Sequence, residues 1–274
     1  MLRPALLLAL ACAAPAAADP VRDRIYPAPT APLSVEKRPG ARLVEVRSAD
    51  GLTLRGIEAA GRADRPVVLL LHGNGSSAAD ALDWLRPLTA RGYGVVAAEY
   101  RGYSANPGEP SEAGLAADAD AFLAHARAVA GGRRVVVLGH SLCGGVAFGL
   151  AKRHRLDALV TVGTFTRLRA MAPRIARAFI ADRFDNLAAV PALDEPWFLV
   201  HGTADEVVPV RMGEELHHAA ARAGRTGSSY VLPGQDHHPD GELVATLVDA
   251  VAARLGGGPA PAPPKGVNVV PFGG

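Results

Sequence analysis

The run Pro66–Leu71 reads PVVLLL, continuously apolar over a short stretch. A half-exposed strand would alternate apolar and polar residues, so this run marks a strand buried on both faces. Such a strand needs cover above and below, and the chain around it supplies that cover. A helix-like segment, Ala78–Ala90, stops at Arg91-Gly92, and Gly94–Glu99 reads as the next strand. Ser111 opens a helix that runs to Ala130; Arg134–Leu138 is a strand and Gly144–His154 a helix. Leu156–Val162 and Trp197–Val200 read as strands, Val210–Ala223 as a helix, Ser229–Leu232 as a strand and Gly241–Leu255 as the last helix. Ahead of this series, Arg42–Arg47 and Leu52–Glu58 flank the turn Ala49-Asp50-Gly51 and form a hairpin. A hairpin followed by repeated strand–helix units specifies an α/β fold. The expected form is a mostly parallel central sheet with an N-terminal antiparallel hairpin and helices on both faces. Residues 41–255 form one domain, about 220 residues long and without internal repeats.

Composition agrees with a packed domain. Of 274 residues, 49% are hydrophobic and 20% charged, which excludes a wholly disordered chain. The net charge of +2 comes from 29 basic and 27 acidic residues with no concentrated basic run, and aromatics make up only 5%. Both facts argue against a nucleic-acid surface. Two cysteines, Cys12 and Cys143, are too few for a disulfide framework.

The two ends read differently from the middle. In MLRPALLLALACAAPAAADP, Arg3 precedes an apolar run and Ala16-Ala17-Ala18 makes a small-x-small cleavage site before Asp19. Residues 1–18 are therefore a secretory signal peptide, too short to span a bilayer as a helix, which takes ~20 residues. A second reading takes Leu8–Cys12 as a lipobox with Cys12 as lipid anchor. Cys12 lies close to Arg3 for that, so cleavage after Ala18 is the expectation. Either product is exported, to the periplasm or the exterior. Residues 19–40, with Pro20, Pro27, Pro29 and Pro32, read as an extended lead-in. Residues 256–274, GGGPAPAPPKGVNVVPFGG, read as a disordered Gly/Pro-rich tail.

The chemistry gathers where strands end. Arg134–Leu138 leads into Gly139-His140-Ser141-Leu142-Cys143-Gly144-Gly145, and a strand that enters a helix through Gly-x-Ser-x-small is a nucleophile elbow. The turn is sharp, and bulk two residues either side of the serine collides with strand and helix. Gly139 meets that need; Cys143 stands where a second glycine is usual, and its side chain is small enough to pack at the helix start. A serine hydroxyl is a weak nucleophile, so it needs a base, and the base needs an orienting acid, met in the order Ser, acid, His. Asp205 follows the apolar strand ending at Val200, with Glu206 ranked well below it. On the loop after the last strand, His237 lies three residues past Gly234 and is the expected base, with His238 as the fallback. Donors for a developing oxyanion would be the backbone N–H groups of Asn74, in the turn His72-Gly73-Asn74-Gly75, and of Leu142. His72 precedes that turn and is read as shaping it. His217-His218, on a helix, point to different faces, and the cluster Asp236, His237, His238 and Asp240 is better explained by the serine chemistry, so no metal is expected.

Four strings carry a resemblance: Leu71-His72-Gly73-Asn74-Gly75, Glu99-Tyr100-Arg101-Gly102-Tyr103-Ser104, Gly139–Gly145, and His201-Gly202-Thr203-Ala204-Asp205-Glu206-Val207-Val208-Pro209. In that order and spacing the chain resembles the α/β-hydrolase superfamily from Ala41 to about Leu255, most closely its serine-aminopeptidase-like and thioesterase-like members. The resemblance implies hydrolysis of esters, thioesters or amides through an acyl-enzyme, with no cofactor, and a structural role for the Tyr100–Tyr103 loop. Residues 165–190 would form a short cap, read as an amphipathic helix over the sheet edge. Its interleaved Arg167, Arg169, Arg174 and Arg177 carry a sharper alternative, contact with an anionic substrate. The expected substrate is a small acyl ester or thioester. A peptidase or amidase on the same residues, and a non-catalytic binding protein of the same fold, are the competing readings.

Overall fold

The computed structural model describes residues 20–259 and 261–273. The expected signal peptide, with Cys12, lies outside them. Along the chain run α1 (Pro20–Ile25), β1 (Ala41–Arg47), β2 (Thr53–Ala59), β3 (Val67–Leu71), α2 (Ala78–Trp84), α3 (Arg86–Ala90), β4 (Gly94–Ala98), α4 (Glu112–Ala130) and β5 (Val135–His140). They are followed by α5 (Leu142–Arg153), β6 (Ala158–Val162), α6 (Leu168–Met171), α7 (Asn186–Ala189), β7 (Trp197–Gly202), α8 (Val210–Arg222), β8 (Gly227–Leu232), α9 (Gly241–Leu255) and β9 (Asn268–Pro271).

The strands form one sheet in the order β1-β2-β4-β3-β5-β6-β7-β8-β9. β1 and β2 pair antiparallel with Val46 opposite Leu54, and β2 pairs antiparallel with β4. From β4 to β8 every pairing is parallel. The continuous apolar runs do what burial on both faces requires. In β3, Val67, Leu69 and Leu71 join one core layer, while Val68 and Leu70 join the other. β5 and β7 split in the same way: Val135 and Val137 against Val136 and Leu138, Trp197 and Leu199 against Phe198 and Val200.

Helix signals are met at α4, where Ser111 Oγ accepts from Gly114 N at 3.1 Å and Gly131 closes the far end with φ of 57°. The single helix expected over 78–90 is two, α2 and α3. Pro87 has no N–H to give to the carbonyl of Asp83, so the first helix stops at Trp84.

Both ends depart from expectation. The lead-in is extended only from Tyr26 onward; Pro20–Ile25 is helical, and Tyr26 is a core residue. In the tail, Asn268–Pro271 pairs antiparallel with β8, and Phe272 is buried with its ring 5.0 Å from that of Trp197. The β-branched pair Val269-Val270 and the following Phe272 supply strand propensity and an apolar anchor, which the surrounding glycine and proline mask in a compositional reading. The cap is not one amphipathic helix. It is α6, a 3₁₀ turn at Arg177–Phe179 and α7, because Pro173 halts the first helix as it starts.

One topological fact places the site. The chain adds β4 on one side of β3 and then β5 on the other, so the loops leaving β3 and β5 diverge at their carboxyl ends and leave a crevice between them.

Candidate active site

Ser141 stands at the end of β5 with φ 53° and ψ −122°, a left-handed backbone that a non-glycine residue adopts only under strain. The helix α5 starts immediately after it. A Cβ at Gly139 would lie 2.5 Å from the carbonyl oxygen of Cys143 and 2.8 Å from Ala147 Cβ, so the turn tolerates only glycine there. Cys143 fits: it is buried in the first turn of α5, and burial pushes its thiol up to about 12, leaving it protonated and unreactive.

Ser141, His237 and Asp205 come together in a continuous line. His237 Nε2 lies 2.8 Å from Ser141 Oγ, and His237 Nδ1 lies 2.8 Å from Asp205 Oδ2. The other oxygen of Asp205 accepts from the backbone N–H groups of Val207 at 2.9 Å and Val208 at 2.7 Å. With its carboxylate fixed on both sides, Asp205 orders the ring so that Nε2 faces the serine. Glu206 is exposed, and Asp205, not Glu206, is the acid bonded to His237. His238 is exposed too; its ring lies 4.5 Å from that of His140 and edge-on to Trp84 at 5.8 Å, while the bonds to Ser141 and Asp205 are made by His237.

Two further histidines brace this line, and the sequence reading gave neither a role. His140 is buried, with Nε2 2.8 Å from the carbonyl oxygen of His237 and its ring 4.8 Å from the His237 ring. Burial holds it well below the usual histidine range, so it is neutral and donates Nε2–H to that carbonyl. His201 is likewise lowered by burial; its Nε2 donates to Val208 O at 2.8 Å and lies 3.5 Å from Asp205 Oδ2.

Across the crevice, the turn after β3 brings Asn74 to the pocket opposite Leu142. Leu142 is the first residue of α5, so its N–H has no acceptor within the helix. The Asn74 N–H bonds to no group among the described residues. His72 shapes this turn: Nδ1 faces Gly73 O at 2.9 Å and Nε2 faces Glu99 Oε1 at 2.8 Å. Glu99 in turn accepts from Ala78 N at 3.0 Å and Ser104 Oγ at 2.9 Å, which ties the turn to the start of α2. In the Tyr100–Tyr103 loop, Arg101 bonds to Asp118 at 2.7 Å and to Asp50 at 2.7 Å, and Tyr103 Oη donates to Asn74 Oδ1 at 2.9 Å.

Ser141, His237, Asn74 and Leu142 line a pocket of about 760 Å³. One wall belongs to the cap, with Leu168, Met171, Phe179 and Ile180; the facing wall belongs to α1, with Val21 and Ile25. The helix α1 opens a strap that is clamped along its length. Asn74 Nδ2 donates to Ile25 O, Tyr26 Oη donates to Asp182 Oδ2 at 2.5 Å, and Ser104 N donates to Pro29 O at 2.6 Å. The Asn74 side chain thus joins the strap to the turn that carries its own N–H. The pocket is lined mainly by apolar side chains, with Ser141, Asn74 and three histidines as polar groups and Arg24, from α1, as a charged side chain at its edge. Among the described residues, no group of three or more His, Cys, Asp or Glu side chains is placed to hold a metal ion, and no helix is long and apolar enough to cross a membrane.

Comparison with known proteins gives consistent matches. The family model for serine aminopeptidases of the S33 type matches residues 62–191. An uncharacterised protein of Mycobacterium tuberculosis is 32% identical over 228 residues, covering 79% of this chain and 80% of that one. The lysophosphatidylserine lipase ABHD12 of Xenopus tropicalis is 30% identical over 219 residues, covering 71% of this chain; the match spans 56% of that longer protein. Among solved structures, a Pyrococcus furiosus esterase superposes with a TM-score of 0.62 at 20% identity, covering 85% of this chain and 96% of that one. An α/β-hydrolase of Vibrio vulnificus gives a TM-score of 0.67 at 22% identity, covering 80% and 82%.

Proposed function

The chain belongs to the α/β-hydrolase superfamily, and from that premise we propose that it is an exported serine hydrolase, cleaving carboxylic esters or thioesters through an acyl-enzyme. The observation that carries this reading is the hydrogen-bonded line Ser141–His237–Asp205, whose serine and histidine border an apolar pocket. Ser141 Oγ attacks the acyl carbonyl while His237 Nε2 takes its proton. The carbonyl oxygen becomes an oxyanion and receives the N–H groups of Asn74 and Leu142, the first anchored through its side chain and the second held at a helix start. Removing one such donor in related chemistry costs ~10²–10³ in rate. As the intermediate collapses, His237 returns the proton to the leaving alkoxide or thiolate. Water, deprotonated by the same imidazole, then attacks the acyl-enzyme, releases the acid and restores Ser141. Asp205 keeps Nδ1–H bonded throughout and stabilises the imidazolium. No step requires a metal or cofactor.

Ester over amide is favoured by the apolar walls, which suit an acyl chain, and by the lipase and esterase names of the relatives. A lipid ester with a single acyl chain fits both. The match to the aminopeptidase family keeps amide cleavage as a second reading. Export rests on the leader at residues 1–18. The test is labelling by a fluorophosphonate together with hydrolysis of p-nitrophenyl esters and peptide p-nitroanilides. Labelling of the wild type that vanishes in Ser141→Ala, with ester but not anilide turnover, is expected. A Ser141→Ala protein that hydrolyses esters at the wild-type rate would refute the reading. Turnover of anilides alone would transfer it to the amide class. His237→Ala should lose activity and His238→Ala keep most of it.

A further inference from the structure

The two most exposed large apolar side chains among the described residues are Ile175, at 86%, and Phe179, at 73%. They stand four residues apart on the outermost stretch of the cap. Phe179 also lines the pocket, and so does Val207, 56% exposed on the loop after β7. The exposed apolar surface is therefore continuous with the pocket lining, and the pocket opens within it.

Charge on this stretch of the cap is mainly positive, although Glu112 accepts from the backbone N–H groups of Arg183 and Phe184 at its edge. Residues 167–183 hold five arginines, Arg167, Arg169, Arg174, Arg177 and Arg183, against the single acid Asp182, which Tyr26 engages. Arg167 pairs with Asp185 and Arg169 donates to Ile180 O. Arg174, Arg177 and Arg183 are exposed, as is Arg24 on α1, and none of the four enters an ion pair among the described residues. Glu206, next to Val207, is the opposing charge on that loop.

We propose that the cap face from Arg174 to Phe179 docks the protein on an anionic lipid surface. Ile175 and Phe179 enter the headgroup boundary, and the arginines meet the anionic headgroups. A lipid surface fits better than a protein partner, because a folded partner or a second copy seated here would seal the pocket. A lipid layer instead offers acyl chains along the apolar path that Phe179 begins. The proposal deepens the hydrolase reading and rests on it only for what enters the pocket.

Vesicle sedimentation tests it, with phosphatidylcholine alone and with added phosphatidylglycerol. The wild type is expected to pellet with the anionic vesicles, to stay in solution with the neutral ones, and to be released by salt. Ile175→Ser/Phe179→Ser and Arg174→Glu/Arg177→Glu should each lower the vesicle-to-solution partition about tenfold. Thermal melting checks that both variants fold, and light scattering reports the mass in solution. Three results would overturn the proposal: a wild type that ignores anionic vesicles, double variants that bind as the wild type does, or a dimer that dissociates in the Ile175→Ser/Phe179→Ser variant. Pelleting does not depend on hydrolysis, so a protein that pellets yet cleaves no ester leaves the docking in place and removes only the catalytic reading.

Discussion

Gly163 follows β6 with φ of 56°, and a Cβ there would lie 3.1 Å from His237 Nδ1 and 3.2 Å from Asp205 Oδ2. Those two atoms make the bond that orients the imidazole, so a methyl group at Gly163 presses on that bond as well as on its own backbone, at ~1–2 kcal/mol for the left-handed conformation. Gly163→Ala should lower kcat on a short soluble ester by about tenfold or more, a loss larger than its effect on Tm explains. Steady-state kinetics beside thermal melting checks this, and an unchanged kcat would contradict it. Ser141, Asp205, His237 and Asn74 were legible in the sequence because each follows an apolar run that the fold places in the sheet, and loops after parallel strands share one edge. Gly163, His140 and His201 were not legible as parts of the site. Their contacts cross from one strand end to another, and local pattern records only that a glycine or histidine is present. Cys143 was legible as a departure; in the structure its side chain is buried in the first turn of α5, and its carbonyl oxygen is the atom that a Cβ at Gly139 would strike.

At the scale of elements, the strap was the part most fully missed. Six residues of helix with a proline at the start have no periodicity to read, and Tyr26 finds Asp182 at a separation of 156 residues. Fold class suffered no such loss, since long continuous apolar runs carry their own signal. Val21 and Ile25 stand one turn apart on α1 and face the cap across the pocket, so together they set its width. Ile25→Trp should fill part of this space. Relative kcat/KM for acyl chains of eight carbons or more is expected to drop about tenfold against acetate, as a few buried methylenes demand. An acyl-length series on p-nitrophenyl esters reads the shift. A uniform drop at all lengths would assign α1 a purely structural part.

For the whole molecule, pH links burial to stability through Glu195. It is buried just before β7, and neither carboxylate oxygen has a hydrogen-bond partner among the described residues. Burial raises it from the ordinary 4.5 to about 7. The native chain therefore holds a proton that the unfolded chain has released between those values, and stability falls as pH rises through that window, by up to ~3 kcal/mol. His140 and His201 act in the opposite sense: held below 6.5 by burial, they lower stability as pH falls beneath that value. Glu195→Gln isolates the first effect, because its amide does not titrate. The variant should melt several degrees above the wild type at pH 8 and near it at pH 5. A constant offset between the two melting curves across that range would contradict the assignment.

The strand β9 has a meaning at this scale as well. A parallel sheet that stopped at β8 would present a bare row of N–H and C=O groups to any extended chain nearby. The last residues occupy that row first: four residues long, ending at Pro271, which brings no N–H of its own, and pinned by Phe272 against Trp197. What composition marks as dispensable is in effect the sheet's own guard against recruiting foreign strands. Trimming it would leave an open edge that invites strand exchange between copies.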